Sequence, residues 1–201
     1  RSISMYLGLE LQSICLYILA SYRKYDIKSS EAGVKYFIIG ALSSGVLLYG
    51  LSIIYAFTNS TDFYEISKSI NLSLQNNENF LIINIGFVLI LCGLFFKIAV
   101  VPFHMWAPDV YEGSPTSITA FFTTIPKIGV IAFLIKFLNT TFESYSDAWF
   151  QILYLVSVIS MILGSIAAVN QSNIKRLLAY SSISHMGFIL IGILTANHIG
   201  I

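Results

Sequence analysis

Five titratable side chains stand where a chain this apolar should carry none: Glu10, Lys97, His104, Lys127 and His185. Lys97 lies inside the run Phe96–Val101, and Pro102 follows where that run should continue as a helix. Pro126 directly precedes Lys127. A cation in hydrocarbon costs a few kcal/mol or more, and a proline inside a helix costs about 3 kcal/mol through one lost backbone hydrogen bond. Two such costs placed side by side, twice, point to a site. The chemistry these residue types can do is proton transfer. A carboxylate such as Glu10 and an amine such as Lys97 lower each other's burial cost by pairing. Burial and pairing push a lysine's proton affinity in opposite directions. A lysine so balanced gains or loses a proton when a neighbouring charge moves, which is what a relay needs. A static ion pair that ties two helices together satisfies the same residues. A second lysine, with a proline beside each, favours the relay.

The prolines carry a structural expectation of their own. Pro102 cannot donate to the carbonyl of Ile98, and Pro126 frees the carbonyl of Phe122. Broken backbone at membrane depth is tolerated where protein or a wet cavity covers it, and discontinuous helices recur at transporter ion sites. Helix breaks are therefore expected at Pro102 and near Pro126, with an ordinary proline kink as the plainer alternative. The histidines rank second. Histidine titrates near neutral pH, and His185 has Tyr180, Ser181, Ser182 and Ser184 as neighbours, but a buried histidine is more often a packing residue. His104 ranks below His185.

These groups need a scaffold, and composition defines it. The 201 residues have a mean hydropathy of +0.79, are 56% hydrophobic and only 10% charged, against about 25% charged in a soluble domain. The net charge of +1 gives no reason to expect nucleic acid. Cys15 and Cys92 sit in apolar runs and read as reduced packing residues. No Gly-rich phosphate loop, metal-ligand spacing or hydrolytic triad is present, so no redox or hydrolytic chemistry is expected within this chain. The abundance of Ile, Phe, Tyr and Asn fits an AT-rich genome such as an organelle's. Arg1 and Ile201 both adjoin apolar segments, and further protein is expected on one or both sides.

Apolar segments at roughly 3–22, 33–57, 81–106, 115–138, 149–169 and 177–196 predict an all-α, polytopic transmembrane bundle of six spans in a single domain. The connections are Arg23–Ala32, Thr58–Phe80, Ala107–Ser114, Asn139–Ala148 and Asn170–Arg176, of which only Thr58–Phe80 is long and reads as a polar surface loop. Arg23, Lys24, Lys28, Lys175 and Arg176 fall on one side, with Lys35 just inside a helix start. Asp62, Glu65, Glu78, Glu143 and Asp147, with Lys68 as the one base, fall on the other. The basic side faces the cytoplasm or a mitochondrial matrix. At about 1.5 Å per residue, Glu10 lies roughly 20 Å from that side, and Lys97 and Lys127 roughly 18 Å. The three are expected near one plane.

The run FKIAVVPFHMWAPDVYEGSP (96–115), the run SNIKRLLAYSSISHMG (172–187) and the run YLGLELQS (6–13) together resemble the antiporter-like membrane subunits of respiratory complex I. The resemblance covers nearly the whole chain. It implies helices five to ten of a fourteen-helix fold built on inverted repeats. Glu10 would then be the helix-five glutamate, Lys97 the lysine of a broken seventh helix, Lys127 the helix-eight lysine, and His185 an extension of the relay. It also implies a subunit of a proton-translocating NADH:ubiquinone reductase in the mitochondrial inner membrane, or less readily a bacterial plasma membrane. NADH, FMN, iron–sulfur clusters and ubiquinone would be held by other subunits, with no cofactor or metal in this chain. The partners implied are other membrane-arm subunits, lipids, and a separate chain or further segment supplying the missing helices. A cation/proton antiporter, a membrane-bound hydrogenase subunit or a non-pumping spacer remain the alternatives.

Overall fold

A computed structural model describes residues 1–76, 80–143 and 146–195, with side chains over 1–73, 81–143 and 149–195. Glu78, His198 and the side chain of Asp147 lie outside the described residues. Those residues form eight helices and no strand: α1 Ser2–Ala20, α2 Ile27–Thr58, α3 Phe63–Asn76, α4 Phe80–Ile98, α5 Trp106–Gly113, α6 Thr116–Thr141, α7 Ser146–Val169 and α8 Ile174–Leu194. Six of them, all but α3 and α5, are long and apolar enough to cross a membrane. The number of spans matches the alternation of loop charge.

Four features differ most from the sequence expectation. The second span begins at Ile27 rather than 33, because the Asp26 side chain caps it by accepting from the Lys28 N–H at 3.1 Å. At 32 residues α2 is about 48 Å long, so its charged first turns extend past the hydrocarbon. The connection Thr58–Phe80 is not simply a polar loop. It contains α3, whose Phe63, Ile66 and Ile70 share one face. Ile66 and Ile70 are buried, and Phe63 packs against Phe133 and Phe137 of α6 with ring centroids 6.2 Å apart in each case. The third span ends at Ile98 rather than 106, and Ala107–Ser114 is mostly the short helix α5.

The fourth difference concerns Pro126. No break occurs there; α6 runs unbroken from Thr116 to Thr141 with Pro126 inside it. The carbonyl of Phe122 that Pro126 leaves without its helical donor is approached by the Tyr111 hydroxyl at 3.5 Å. A neighbouring helix covering the freed group is the usual way a membrane helix keeps a proline.

The basic ends of α2 and α8 meet α5, and the end of α1 is tied to α2. Ser29 donates to Ala20 O at 2.9 Å, and Lys175 Nζ donates to Ser114 O at 2.7 Å. Two apolar clusters hold the bundle. One fills the space between α4, α6 and α8 with Leu91, Leu94, Phe95, Leu134, Phe137 and Leu190. The other lies under the basic end and includes Trp106, Val110, Tyr111, Phe122 and Ala179. The α7–α8 pair packs backbone to backbone. A Cβ on Gly164 would fall 2.8 Å from Ser184 N, and one on Gly187 would fall 2.7 Å from Met161 Cγ. Small residues permit such close approach between membrane helices.

Candidate functional site

The helix carrying Lys97 does stop in mid-bundle, at Ile98, four residues before Pro102. Ala99 takes a left-handed conformation, φ 59°. Its N–H bonds to Phe96 O at 3.2 Å, and the N–H of Val100 bonds to Phe95 O at 3.2 Å. This is the double capping pattern usually built on glycine. An alanine there carries about 1–2 kcal/mol of steric cost. The loosened backbone is then covered. Ser160 of α7 accepts from the Val101 N–H at 3.0 Å, and the Trp106 indole donates to Phe96 O at 3.0 Å. Helix resumes at Trp106 as α5. Lys97 thus sits in the last turn of α4, where the aligned peptide dipoles favour a cation.

Lys97 Nζ donates to Glu10 Oε1 at 3.0 Å and to Ser13 Oγ at 2.8 Å. Ser44 of α2 donates to the same Glu10 oxygen at 2.6 Å. The two charged side chains are 9% and 20% exposed, so the pair is largely withdrawn from the surface. Three helices therefore converge on one ion pair. Beside it lies a cavity of about 30 Å³ lined by Gln12, Ser13, Tyr17, Lys97, Trp106 and Pro126, among others. That volume holds one or two waters with polar partners at hand.

Lys127, one residue from that cavity's wall, is built differently. It is 2% exposed. Its ammonium donates to Ser182 Oγ of α8 at 2.6 Å and lies 5.8 Å from the centre of the Tyr111 ring. Among the described residues no carboxylate pairs with it. An aromatic group lies against both sites. Tyr36 stacks on Trp106 at 4.7 Å and 10°, Trp106 meets Tyr111 edge-on at 6.1 Å, and Tyr111 faces Phe122 at 6.4 Å.

A second polar assembly, not foreseen from the sequence, fastens α5 at the basic end. Asp109 accepts from Lys35 at 3.1 Å and from Arg176 at 2.9 Å. Glu112 accepts from Arg176 at 3.1 Å and lies 3.6 Å from Lys28. Loop counting had hidden these pairs, because the two acids fall among the bases of their own side. The network ties α5, which carries Tyr111, to α8, which carries Ser182. The hydrogen-bond partner of Lys127 and the ring beside its ammonium are thereby both on elements held from one end.

The histidines do not join either lysine. His185 is exposed, and its one hydrogen-bond partner among the described residues is Ser181 on its own helix, at 3.3 Å. His104 lies half-buried on the break and makes no hydrogen bond to Glu10, Lys97 or Lys127. Ser182 instead occupies the place beside Lys127. Its run of serines was visible in the sequence, but the rotation of α8 decides which one faces inward. Among the described residues no group of three or more His, Cys, Asp or Glu is arranged to hold a metal.

Residues 2–201 match the family model described as NADH:quinone oxidoreductase/Mrp antiporter, transmembrane, and the chain belongs to that family. It is an integral, multi-pass membrane protein. It is 51% identical over 205 residues to NADH-quinone oxidoreductase subunit N of Bartonella bacilliformis, covering 99% of this chain and 41% of that one. Its fold overlaps a subunit in the structure of respiratory complex I from Thermus thermophilus with TM-score 0.77 and 35% identity, covering 96% of this chain and 40% of that one. It overlaps a chain of the Mrp complex from Dietzia with TM-score 0.86 at 23% identity, covering 99% and 36%, a likeness of fold alone. The chain thus spans about two fifths of the length of the relatives it matches.

Proposed function

We propose that this chain is the central part of a proton-translocating, antiporter-like membrane-arm subunit of NADH:quinone oxidoreductase. Its bacterial counterpart would be subunit N, and its mitochondrial counterpart subunit 2 of NADH dehydrogenase. The runs EAGVKYFIIGALSSG (31–45) and APDVYEGSPT (107–116) support the second correspondence. The observation that carries the reading is the Glu10–Lys97 pair at 3.0 Å on a capped, mid-bundle helix end, with Lys127 on the next long helix. The 201 residues act as a single transmembrane domain within a larger assembly, whose remaining helices come from further sequence or a separate chain. Other subunits hold NADH, FMN, the iron–sulfur clusters and ubiquinone, and this chain does no redox chemistry itself.

In this reading Glu10 is the handle. A unit-charge pair at about 4 Å is worth about 4 kcal/mol at an effective dielectric of about 20. One charge crossing a membrane potential is worth about 2.3 kcal/mol per 100 mV. Drawing Glu10 away from Lys97, or neutralising it, therefore changes the stability of the ammonium by as much as a proton gains from the energised membrane. Ser13 keeps the Lys97 amine in place as the carboxylate moves. The proton passes through water in the cavity toward Lys127, and quinone reduction elsewhere in the complex drives the cycle. His185 and His104 take part only as outer members of the path. We further propose the mitochondrial inner membrane as the location, from the residue bias and the resemblance to subunit 2; relatives in bacteria support a plasma membrane as the second choice. Identity of about one half to subunit N supports this function over a free-standing cation/proton antiporter.

Replacing Lys97 by Ala in the assembled complex tests the reading. NADH-driven proton pumping should fall, and a normal proton-to-electron ratio would remove Lys97 from the path.

A further inference from the structure

The geometry points to Ser182 as the positioning residue that holds Lys127 in both of its protonation states, an inference that rests on the relay reading above. Lys127 is 2% exposed, and its ammonium has one hydrogen-bond partner among the described residues, Ser182 Oγ at 2.6 Å. A carboxylate in that place would hold the lysine charged. A hydroxyl does not discriminate, because it accepts from an ammonium and donates to an amine.

Whether the hydroxyl is free to switch depends on where its own proton goes. In membrane helices serine commonly donates back to a carbonyl one turn earlier. Ser13, the serine beside Lys97, does so, donating to Leu9 O at 2.7 Å. Ser165 does the same to Met161 O at 2.7 Å. Ser182 makes no such bond; its only hydrogen bond among the described residues is the one it accepts from Lys127. Its proton is uncommitted. When Lys127 gives up a proton to water, the Ser182 hydroxyl turns round and donates to the amine lone pair. An N–H···O bond is exchanged for an O–H···N bond between the same two atoms, so the amine keeps its partner through the transfer. Without the hydroxyl, the neutral or charged nitrogen would lose its one polar anchor in a buried site. A lost hydrogen bond to a charged group corresponds to roughly tenfold or more in an equilibrium or rate.

The test compares Ser182→Thr with Ser182→Val in the assembled complex in proteoliposomes. The two replacements have nearly the same shape and differ in the hydroxyl. Threonine should keep NADH-driven pumping within about twofold of the parent and leave the pH–rate profile in place. Valine should lower pumping on the order of tenfold and displace a limb of that profile. Ser182→Ala, which leaves room rather than filling it, should follow valine. Equal pumping by threonine and valine, whether high or low, would overturn the inference, as would an alanine variant with the parent's activity and profile. Lys127→Ala serves as the reference. If it abolishes pumping while Ser182→Val does not, the relay stands and the role of Ser182 falls. If Lys127→Ala pumps normally, the relay reading itself falls.

Discussion

Two lysines are buried in this bundle, and their surroundings are opposites. Lys97 ends a helix, donates to Glu10 Oε1 at 3.0 Å and to Ser13 Oγ at 2.8 Å, and borders a cavity. Lys127 lies in an unbroken helix, has no carboxylate among the described residues and rests on one serine and one aromatic ring. The difference teaches which signal each can receive. In the proposed relay Lys97 would respond to the position or charge of Glu10, and Lys127, with no carboxylate partner among the described residues, to whether a proton and water reach it. Such a pair would have a controlled donor and a passive acceptor, which would give the proposed transfer a direction.

The comparison is broken most severely by neutralising the anion. Glu10→Gln should cut pumping at least tenfold and leave Lys97 unpaired. The stability cost should lie toward the low end of the about 3–5 kcal/mol seen when one partner of a buried pair is removed, because Glu10 is 20% exposed. Quantifying the assembled chain in membranes alongside pumping measures both effects. Glu10→Gln combined with Lys97→Met sharpens the same point. The double variant should assemble better than Glu10→Gln alone, since apolar replacement of a buried pair is often neutral or stabilising, yet still fail to pump. If it assembles worse than the single variant, the pair has no unpaired-charge penalty and the contrast between the lysines weakens.

Smaller changes probe the supports. Arg176→Gln removes the fork that holds Asp109 and Glu112. The arginine is 36% exposed, so about 1 kcal/mol is expected. Amide exchange should quicken in α5 and leave the first turns of α1 unchanged; uniform behaviour of the two would contradict a local clamp. Ala99→Gly should do least. It relieves about 1 kcal/mol of left-handed strain, slows exchange at the Val100 amide and leaves pumping intact.

Much of this arrangement was readable from residue types whose cost is local. Glu10, Lys97 and Lys127 announce themselves because charge in an apolar run is expensive wherever the chain goes, and loop charges ordered the spans. What stayed hidden depends on rotation and contact. Ala99 carries the cap that ends α4, and alanine has no signature for a left-handed turn. Pro126 promised a break, but Tyr111 covers the carbonyl it frees. Asp109 and Glu112 carry no local sign of their partners; only the packing of α2 and α8 on α5 brings Lys35, Lys28 and Arg176 to them. The helix α3 was missed within Thr58–Phe80, because its polar neighbours mask the apolar face of Phe63, Ile66 and Ile70. Ser182 is one of three serines within four residues, and only the packing of α8 against α6 selects it.

In the proposed relay a proton leaving Lys97 is received by a lysine that has no carboxylate partner among the described residues. The proton-to-electron ratio of the assembled complex carrying Lys127→Ala tests it most directly. The ratio should fall below that of the parent complex at matched NADH oxidation; an unchanged ratio would take Lys127 out of the path.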